Sequence, residues 1–122
     1  MTTGRFIYIF RNMNIRSFAD AAGIDYERLM DEFCGDTKAL STSIRSYLDT
    51  CDLPSLVKSV KDGDEEAVRS SAHRIRKCAE KLLLDETASL ARKLEDAPAE
   101  RMHSLTTPLE KEFARFTAAL EQ

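Results

Sequence analysis

The sequence EEAVRSSAHRIRKCAEKLLL, residues 65–84, decides the fold of this chain. Apolar side chains recur in it at steps of three and four residues, the spacing that places them on one stripe of an α-helix. This stripe contains Val68, Ala72, Ile75, Ala79 and Leu82. We therefore predict a long helix over residues 65–84 whose apolar stripe faces a hydrophobic core.

One histidine, His73, lies near the middle of the predicted helix. It is about 100° round the helix from the apolar stripe, so its ring is predicted to point outwards. Arg69, Arg76 and Lys77 stand four residues before, three after and four after His73, which makes all three its neighbours on the helix surface. Like charges at these spacings destabilise a helix by a few tenths of a kcal/mol per pair. The cluster therefore indicates a site for an anion rather than a device for stability.

A phosphoryl group is the anion that fits this cluster best. The nearby cations favour the neutral imidazole, whose nitrogen is a competent nucleophile. The same cations would stabilise charge on phosphoryl oxygens, and positioning plus electrostatics is most of what phosphoryl transfer needs. The alternative is a solvated histidine on a charged helix surface, which is the more common arrangement.

Two motifs of the chain match a known pattern. The sequences AHRIR at residues 72–76 and LARKLE at residues 90–95 are similar to the core of histidine-containing phosphotransfer (HPt) domains. That family's pattern reads Ala-His-x-Leu-Lys-Gly, then a small residue and a Leu-Gly pair, and later Leu-Ala-x-x-Leu-Glu. Gly63 and Asp64 resemble the family's Gly-Asp turn before the histidine helix. The resemblance covers the chain from about residue 24 to the C-terminus.

The resemblance implies an all-α fold, a four-helix up-down bundle, with short additional helices at the N-terminus. It implies that His73 accepts a phosphoryl group from a receiver-domain aspartate and that Arg76 takes the place of the lysine that helps to hold this group. To these we add Lys77 and Arg69 as phosphoryl-stabilising candidates. Lys77 departs from the family's glycine beside the histidine, and Leu83 departs from a second glycine further on. Lys77 either shades the ring or supplies a second phosphate-binding cation, and the sequence leaves both readings open.

Length and composition describe one helical domain. The chain has 122 residues, 43% apolar and 32% charged, with only 4 Gly and 3 Pro, which is typical of a helix-rich globular protein. We divide it into an N-terminal extension, residues 1–23, packed on or flanking the bundle, and an HPt-like bundle, residues 24–122. The extension contains the aromatic run RFIYIFR, residues 5–11. We expect this run to form a strand, a helical turn docked on the bundle, or an apolar tail that associates with other surfaces. It is the candidate contact for a homodimer.

The net charge and the motifs absent from the sequence limit which partners and cofactors we expect. The net charge of −3 gives no reason to expect nucleic acid as a partner, while the basic histidine helix suits the acidic pocket of a receiver domain. We expect response-regulator receivers, a hybrid histidine kinase, or both. The chain lacks a Gly-rich phosphate loop and metal-ligand spacing, so we expect no cofactor, no metal and no phosphorylation of its own from ATP. The three cysteines have no C-x-x-C spacing, so we expect reduced thiols. No apolar run is long enough for a membrane span or a signal peptide. Together these features predict a cytoplasmic protein.

The helix ends are predicted from turn and capping residues. Gly23 is expected to end a short helix that begins near residue 17, and Asp25, Asp36, Asp64 and Asp85 to cap the helices that follow them. Pro108 interrupts the last apolar stripe, so that helix either kinks there or restarts at Thr107. We favour one kinked helix because the stripe keeps its phase across the proline.

The leading hypothesis is a phosphoryl carrier of a two-component phosphorelay rather than a true enzyme. The competing hypothesis is a non-catalytic HPt-like module that docks a receiver or kinase without carrying phosphate. An unrelated helical adaptor is a third reading. The only other histidine, His103, has no neighbouring constellation of cations or carboxylates in the sequence, so we assign it to a solvated helix surface. The sequence does not identify a partner for the second ring nitrogen of His73.

Overall fold

A computed structural model describes residues 14–121 of the chain. These residues are almost entirely helical, and none of them lies in a β-strand. Their seven helices are α1 (Ile15–Ala22), α2 (Tyr26–Glu32), α3 (Thr37–Thr50), α4 (Leu53–Lys61), α5 (Glu65–Lys81), α6 (Asp85–Asp96) and α7 (Ala99–Leu120). The predicted all-α class is thereby confirmed. Within this part of the chain, no helix combines the length and the apolar character needed to cross a membrane.

The apolar stripe of the histidine helix forms part of the core, as predicted. Val68, Ala72, Ala79 and Leu82 are fully buried and Ile75 is nearly so. α5 packs against α3, α4 and α6, so three of its neighbours are held by this one stripe. The rotation of α5 about its own axis is therefore fixed by burial, and with it the direction of the opposite face.

α5 ends earlier than the sequence pattern suggested. Its last helical residue is Lys81, and Leu83 lies beyond it with a φ of 60°, in the left-handed region. The amide of Leu84 donates to the carbonyl of Ala79, which is the Schellman arrangement that commonly ends a helix. Glycine is the usual residue at such a position because a Cβ there costs about 1–2 kcal/mol. Leu83 thus occupies the turn between α5 and α6 and not a turn of the helix.

The last helix excludes one of the two alternatives for Pro108, the restart. α7 runs from Ala99 to Leu120 as one helix with Pro108 inside it, and does not restart at Thr107. Buried side chains on both sides of the proline hold this helix in the core, namely Met102, Leu109, Phe116 and Leu120. The ring of Phe116 packs edge-on against Phe18 of α1 and Tyr47 of α3, with centroid distances of 5.6 and 4.7 Å.

Three of the four aspartate caps are confirmed. The side chains of Asp25, Asp36 and Asp64 accept hydrogen bonds from backbone amides in the first turns of α2, α3 and α5. The prediction for Asp85 was wrong, because Leu84 occupies the cap position of α6 and Asp85 is the first helical residue. Its carboxylate still lies in the first turn, where the helix dipole favours negative charge.

The described part of the N-terminal extension contributes to the same core. Phe18 and Ala19 of α1 are fully buried, and α1 packs against α7. Gly23 ends α1 with a φ of 77°, and Arg115 of α7 donates from Nε to the carbonyl of Ala21 at 3.1 Å. The aromatic run at residues 5–11, proposed above as a dimer contact, lies outside the described residues.

Candidate functional site

The N-terminal end of α5 sets the register of the histidine face. Asp64 Oδ1 accepts from the backbone amide of Ala67 at 3.1 Å, and Glu65 and Glu66 follow in the first turn, where the helix dipole favours acidic side chains. With the opposite stripe buried, His73 faces outwards, as predicted, and half of its side-chain surface is exposed. A ring in this position is open to a partner molecule while its backbone is held by the core.

The neighbouring helix α6 brings a carboxylate to the ring. Leu90, Ala91 and Leu94 are buried, and this packing places Glu95 beside α5 with its side chain only 17% exposed. Glu95 Oε1 is 3.0 Å from His73 Nδ1. Because a carboxylate can only accept, this contact is a hydrogen bond when Nδ1 carries the proton. We assign that tautomer because the carboxylate is the nearer of the two groups at Nδ1, and it leaves Nε2 of the neutral ring with its lone pair. The second group, Arg76 Nη2, is itself a donor and makes no hydrogen bond to a protonated Nδ1.

Arg76 forms the other part of this network. Its Nε donates to Glu95 Oε2, its Nη1 donates to Glu80 Oε2 at 3.1 Å, and its Nη2 is 3.2 Å from His73 Nδ1. The Arg76 side chain is 15% exposed. The hydrogen bond from Arg76, together with that from His73, lowers the pKa of Glu95 despite its partial burial. The hydrogen bond to Glu95 in turn raises the pKa of Arg76. Both groups therefore stay charged, and Arg76 lies on the Nδ1 edge of the ring.

Arg69 is directed at the end of α6. Its Nε donates to the carbonyl of Glu95 at 3.1 Å and its Nη2 to the carbonyl of Ala97 at 2.9 Å. Its Nη1 is 3.1 Å from Glu65 Oε1. Carbonyls at a helix C-terminus lack intrahelical donors, so these bonds satisfy groups that would otherwise need water. Arg69 ties the segment that carries Glu95 to the histidine helix.

Lys77 differs from the two arginines. It is exposed, and no hydrogen bond or ion pair of its ammonium group is found among residues 14–121. Of the three cations predicted around His73, the structure brings Arg76 and Arg69 into contact with the carboxyl or backbone groups of Glu95 and leaves Lys77 in solvent. No hydrogen bond joins Lys77 to the imidazole within the described chain.

Glu95 was missed as a site residue by sequence reasoning. It was present in the LARKLE motif, at its last position, and the contact to His73 spans 22 residues. The sequence feature that could have identified Glu95 is its place directly after the apolar stripe residue Leu94, on a helix expected to lie beside α5. Periodicity predicts that such a residue flanks the core. It does not predict which neighbouring side chain it meets.

Other reactive residues lie apart from this network. His103 is exposed on α7, and its ring has no partner within the described chain. Cys34, Cys51 and Cys78 are all free thiols, respectively exposed, buried and half-buried. Burial raises the pKa of Cys51 to about 12, so this thiol is unreactive near neutral pH. No grouping of His, Cys, Asp and Glu suited to a metal ion occurs in the part of the chain that the structure describes.

Comparison with known proteins yields no match to this chain among protein-family models, curated proteins or solved structures.

Proposed function

We propose that the chain is a histidine phosphotransfer protein of a two-component phosphorelay, with His73 as the phosphoryl acceptor. The observation that carries the proposal is the half-exposed ring whose Nδ1 is held 3.0 Å from a charged glutamate. With the proton on Nδ1, Nε2 keeps its lone pair and is the nucleophilic nitrogen of a half-exposed side chain. The motifs at residues 72–76 and 90–95, which resemble the HPt pattern, supply His73 and Glu95 respectively.

The proposed fold follows the same resemblance. We assign the four bundle helices to α3, α5, α6 and α7, the longest of the described chain, at 14, 17, 12 and 22 residues. The shorter helices α1 and α2 are the additional N-terminal elements, and α4 connects α3 to α5. The packing of α5 against both α3 and α6, and of α6 against α7, supports this assignment.

The proposed reaction is an in-line transfer between a receiver aspartate and His73. Nε2 attacks the phosphorus of the aspartyl phosphate, the N–P bond forms, and the bond from phosphorus to the aspartate oxygen breaks, releasing the carboxylate. The ring then carries a positive charge with its proton still on Nδ1. The Glu95 carboxylate, held ionised by Arg76, stabilises that charge. The reverse sequence passes the group to a second receiver.

The partners follow from this chemistry. Receiver domains, free or within a hybrid histidine kinase, supply the aspartate and the divalent metal that the reaction requires. Such a carrier needs no cofactor of its own and acts in the cytoplasm, in keeping with its three free thiols. The arginine-rich face of α5 provides charge complementary to an acidic phosphorylation pocket.

The test uses a receiver domain phosphorylated with ³²P on its aspartate. We expect the protein to take up label that is stable to base and labile to acid, the behaviour of a phosphoramidate bond. The label should vanish in His73→Gln and persist in His103→Gln, which removes the same ring from another exposed helix. Receiver binding without label in the unaltered protein would refute the carrier and support the alternative, a docking module.

A further inference from the structure

The cations around His73 lie on two different sides of the ring. At about 100° per residue, Arg76 and Arg69 stand about 60° and 40° to one side of His73 on the surface of α5. Lys77 and Ser70 stand about 40° and 60° to the other side. Both arginines contact Glu95, so the first side is the side of α6. The Lys77 side faces away from α6.

On the α6 side the positive charge is already balanced. Arg76 bonds to the carboxylates of Glu95 and Glu80, and Arg69 bonds to that of Glu65. An added phosphoryl group would have to compete with these carboxylates for each guanidinium. It would also have to reach the Nδ1 edge of the ring, where Arg76 Nη2 lies 3.2 Å from Nδ1.

On the opposite side the positive charge is free. In an imidazole, Nδ1 and Cε1 form one edge and Cδ2 and Nε2 the other. Because Nδ1 faces Glu95 on α6, the edge with Nε2 is turned away from α6, as Lys77 is. Lys77 is exposed, and its ammonium group is unpaired as far as residues 14–121 are concerned. Its flexible four-carbon stem allows the ammonium group to follow a group attached to Nε2.

We infer that Lys77, and not Arg76, holds the phosphoryl oxygens on His73, while Arg76 acts as a positioning residue through Glu95. The inference rests on the proposed function. It exchanges the roles that the family resemblance implies, since that pattern has its phosphate-binding cation at the position of Arg76 and glycine at that of Lys77. It also decides between the two readings of Lys77 left open by the sequence, in favour of a phosphate ligand rather than a shield over the ring.

Phosphoramidate is the probe for this division of roles, because it donates to histidine without a docking protein. Nε2 attacks its phosphorus, the N–P bond to the ring forms, and the original P–N bond breaks with loss of ammonia. Effects of Lys77 on receiver binding are thereby excluded. We would follow phosphohistidine formation and decay by intact mass and ³¹P NMR in Lys77→Ala, Lys77→Arg and Arg76→Ala, with Lys81→Ala as a matched control from the same helix.

We expect Lys77→Ala to slow phosphorylation of His73 about tenfold, the size of one charge-assisted hydrogen bond made only to the transferred group. Lys77→Arg should restore the rate to within about threefold, and Lys81→Ala should leave it unchanged. The ¹⁵N shifts of the ring report its tautomer. They should stay at the Nδ1–H pattern in Lys77→Ala and move towards a mixture of tautomers in Arg76→Ala, because Glu95 then loses the group that orients it.

Failure of the inference differs from failure of the proposed function. If the unaltered protein never gains phosphate from phosphoramidate or from a phosphorylated receiver, both are wrong. If it is phosphorylated on His73 but Lys77→Ala reacts as fast or faster, the carrier stands and the role of Lys77 is refuted. The role of Arg76 is refuted if Arg76→Ala slows the reaction with the tautomer pattern intact.

Discussion

The helices α5 and α7 each present one histidine to solvent, yet only one of the two has a built environment. His73 has a carboxylate from a neighbouring helix at 3.0 Å and a guanidinium at 3.2 Å from the same nitrogen. His103 has neither within residues 14–121, and the one side-chain hydrogen bond near it goes from Thr106 Oγ1 to its backbone carbonyl, at 2.8 Å, and not to its ring. Both rings are therefore exposed. What distinguishes His73 is that neighbouring side chains fix the orientation of its ring.

The two helices are also stabilised differently. α5 has a side-chain cap, acidic residues in its first turn and Lys81 in its last, so its local sequence agrees with its structure. α7 begins after Pro98 without a side-chain cap and contains Pro108 in its interior. Buried side chains hold it in place instead. The helix that carries the candidate site is favoured both by its local sequence and by its buried stripe, whereas α7 depends more heavily on tertiary packing.

The largest expected effect tests the difference between the two histidines. Glu95→Gln keeps the size of the side chain but removes its charge and lets its amide face Nδ1 as donor or acceptor, so the tautomer is no longer fixed. We expect transfer to His73 to fall about 10- to 100-fold, the size of one hydrogen bond to a charged group. The rate of labelling from a phosphorylated receiver measures this.

Glu100→Gln is the matched control, because it removes the same charge from an exposed position in the first turn of α7. Transfer in this variant should equal that of the unaltered protein. Equal losses in both variants would mean that net charge, and not the bond to His73, is responsible.

Sequence periodicity predicted the face of α5 but not its chemical neighbours. The outward direction of His73 followed from five apolar residues whose spacing has one helical solution. The pairing of Arg76 with Glu95 did not follow, because it depends on how two helices are rotated against each other. The exception at Asp85 shows a second limit: a candidate cap residue identifies a helix start only to within about one position.

The end of α5 shows a different limit. The run of leucines at residues 82–84 continued the apolar pattern, so periodicity extended the helix through a position that the fold uses as a left-handed turn. Leu83 remains partly buried against the core, and this packing opposes the backbone strain. Local propensity and tertiary burial disagree there, and the pattern alone does not decide between them.

Pro108→Ala should sharpen the contrast in how the helices are held. Proline lacks the N–H that would bond to the carbonyl of residue 104 and strains the preceding turn, which costs about 3 kcal/mol in a helix interior. We expect the free energy of unfolding in urea to rise by about this amount. Pro54→Ala is the control, since Pro54 lies in the first turn of α4 where the missing N–H has no helical acceptor. No gain in Pro108→Ala would mean that the packing of α7 needs the proline.

A pair of glycine substitutions compares two turns. Gly23 ends α1 and lies against α7, and Gly63 lies just before α5. Gly23→Ala should lower the free energy of unfolding by about 1–2 kcal/mol, because its φ of 77° is strained for alanine. A Cβ there would also lie 2.8 Å from Arg115 Nη2 of α7, so this flexible side chain would have to shift and its hydrogen bond to the carbonyl of Ala21 would be disturbed. Gly63→Ala, before α5, should lower it by about 1 kcal/mol, because its φ of 71° is strained but no atom lies within 4 Å of the new Cβ. Equal losses would mean that the Arg115 contact contributes nothing.

The smallest expected effect is at the start of α5. Asp64→Ala removes the acceptor for the amide of Ala67, and loss of such a cap costs about 1 kcal/mol. Asp64→Asn keeps the acceptor and loses only the charge near the helix dipole, so we expect it to retain most of this stability. Urea unfolding measures both variants. Because His73 lies more than two turns into α5, transfer from a phosphorylated receiver should be unchanged in each. A loss of transfer in Asp64→Ala at full folding would mean that the first turn of α5, and not the buried stripe with Glu95, sets the direction of the ring.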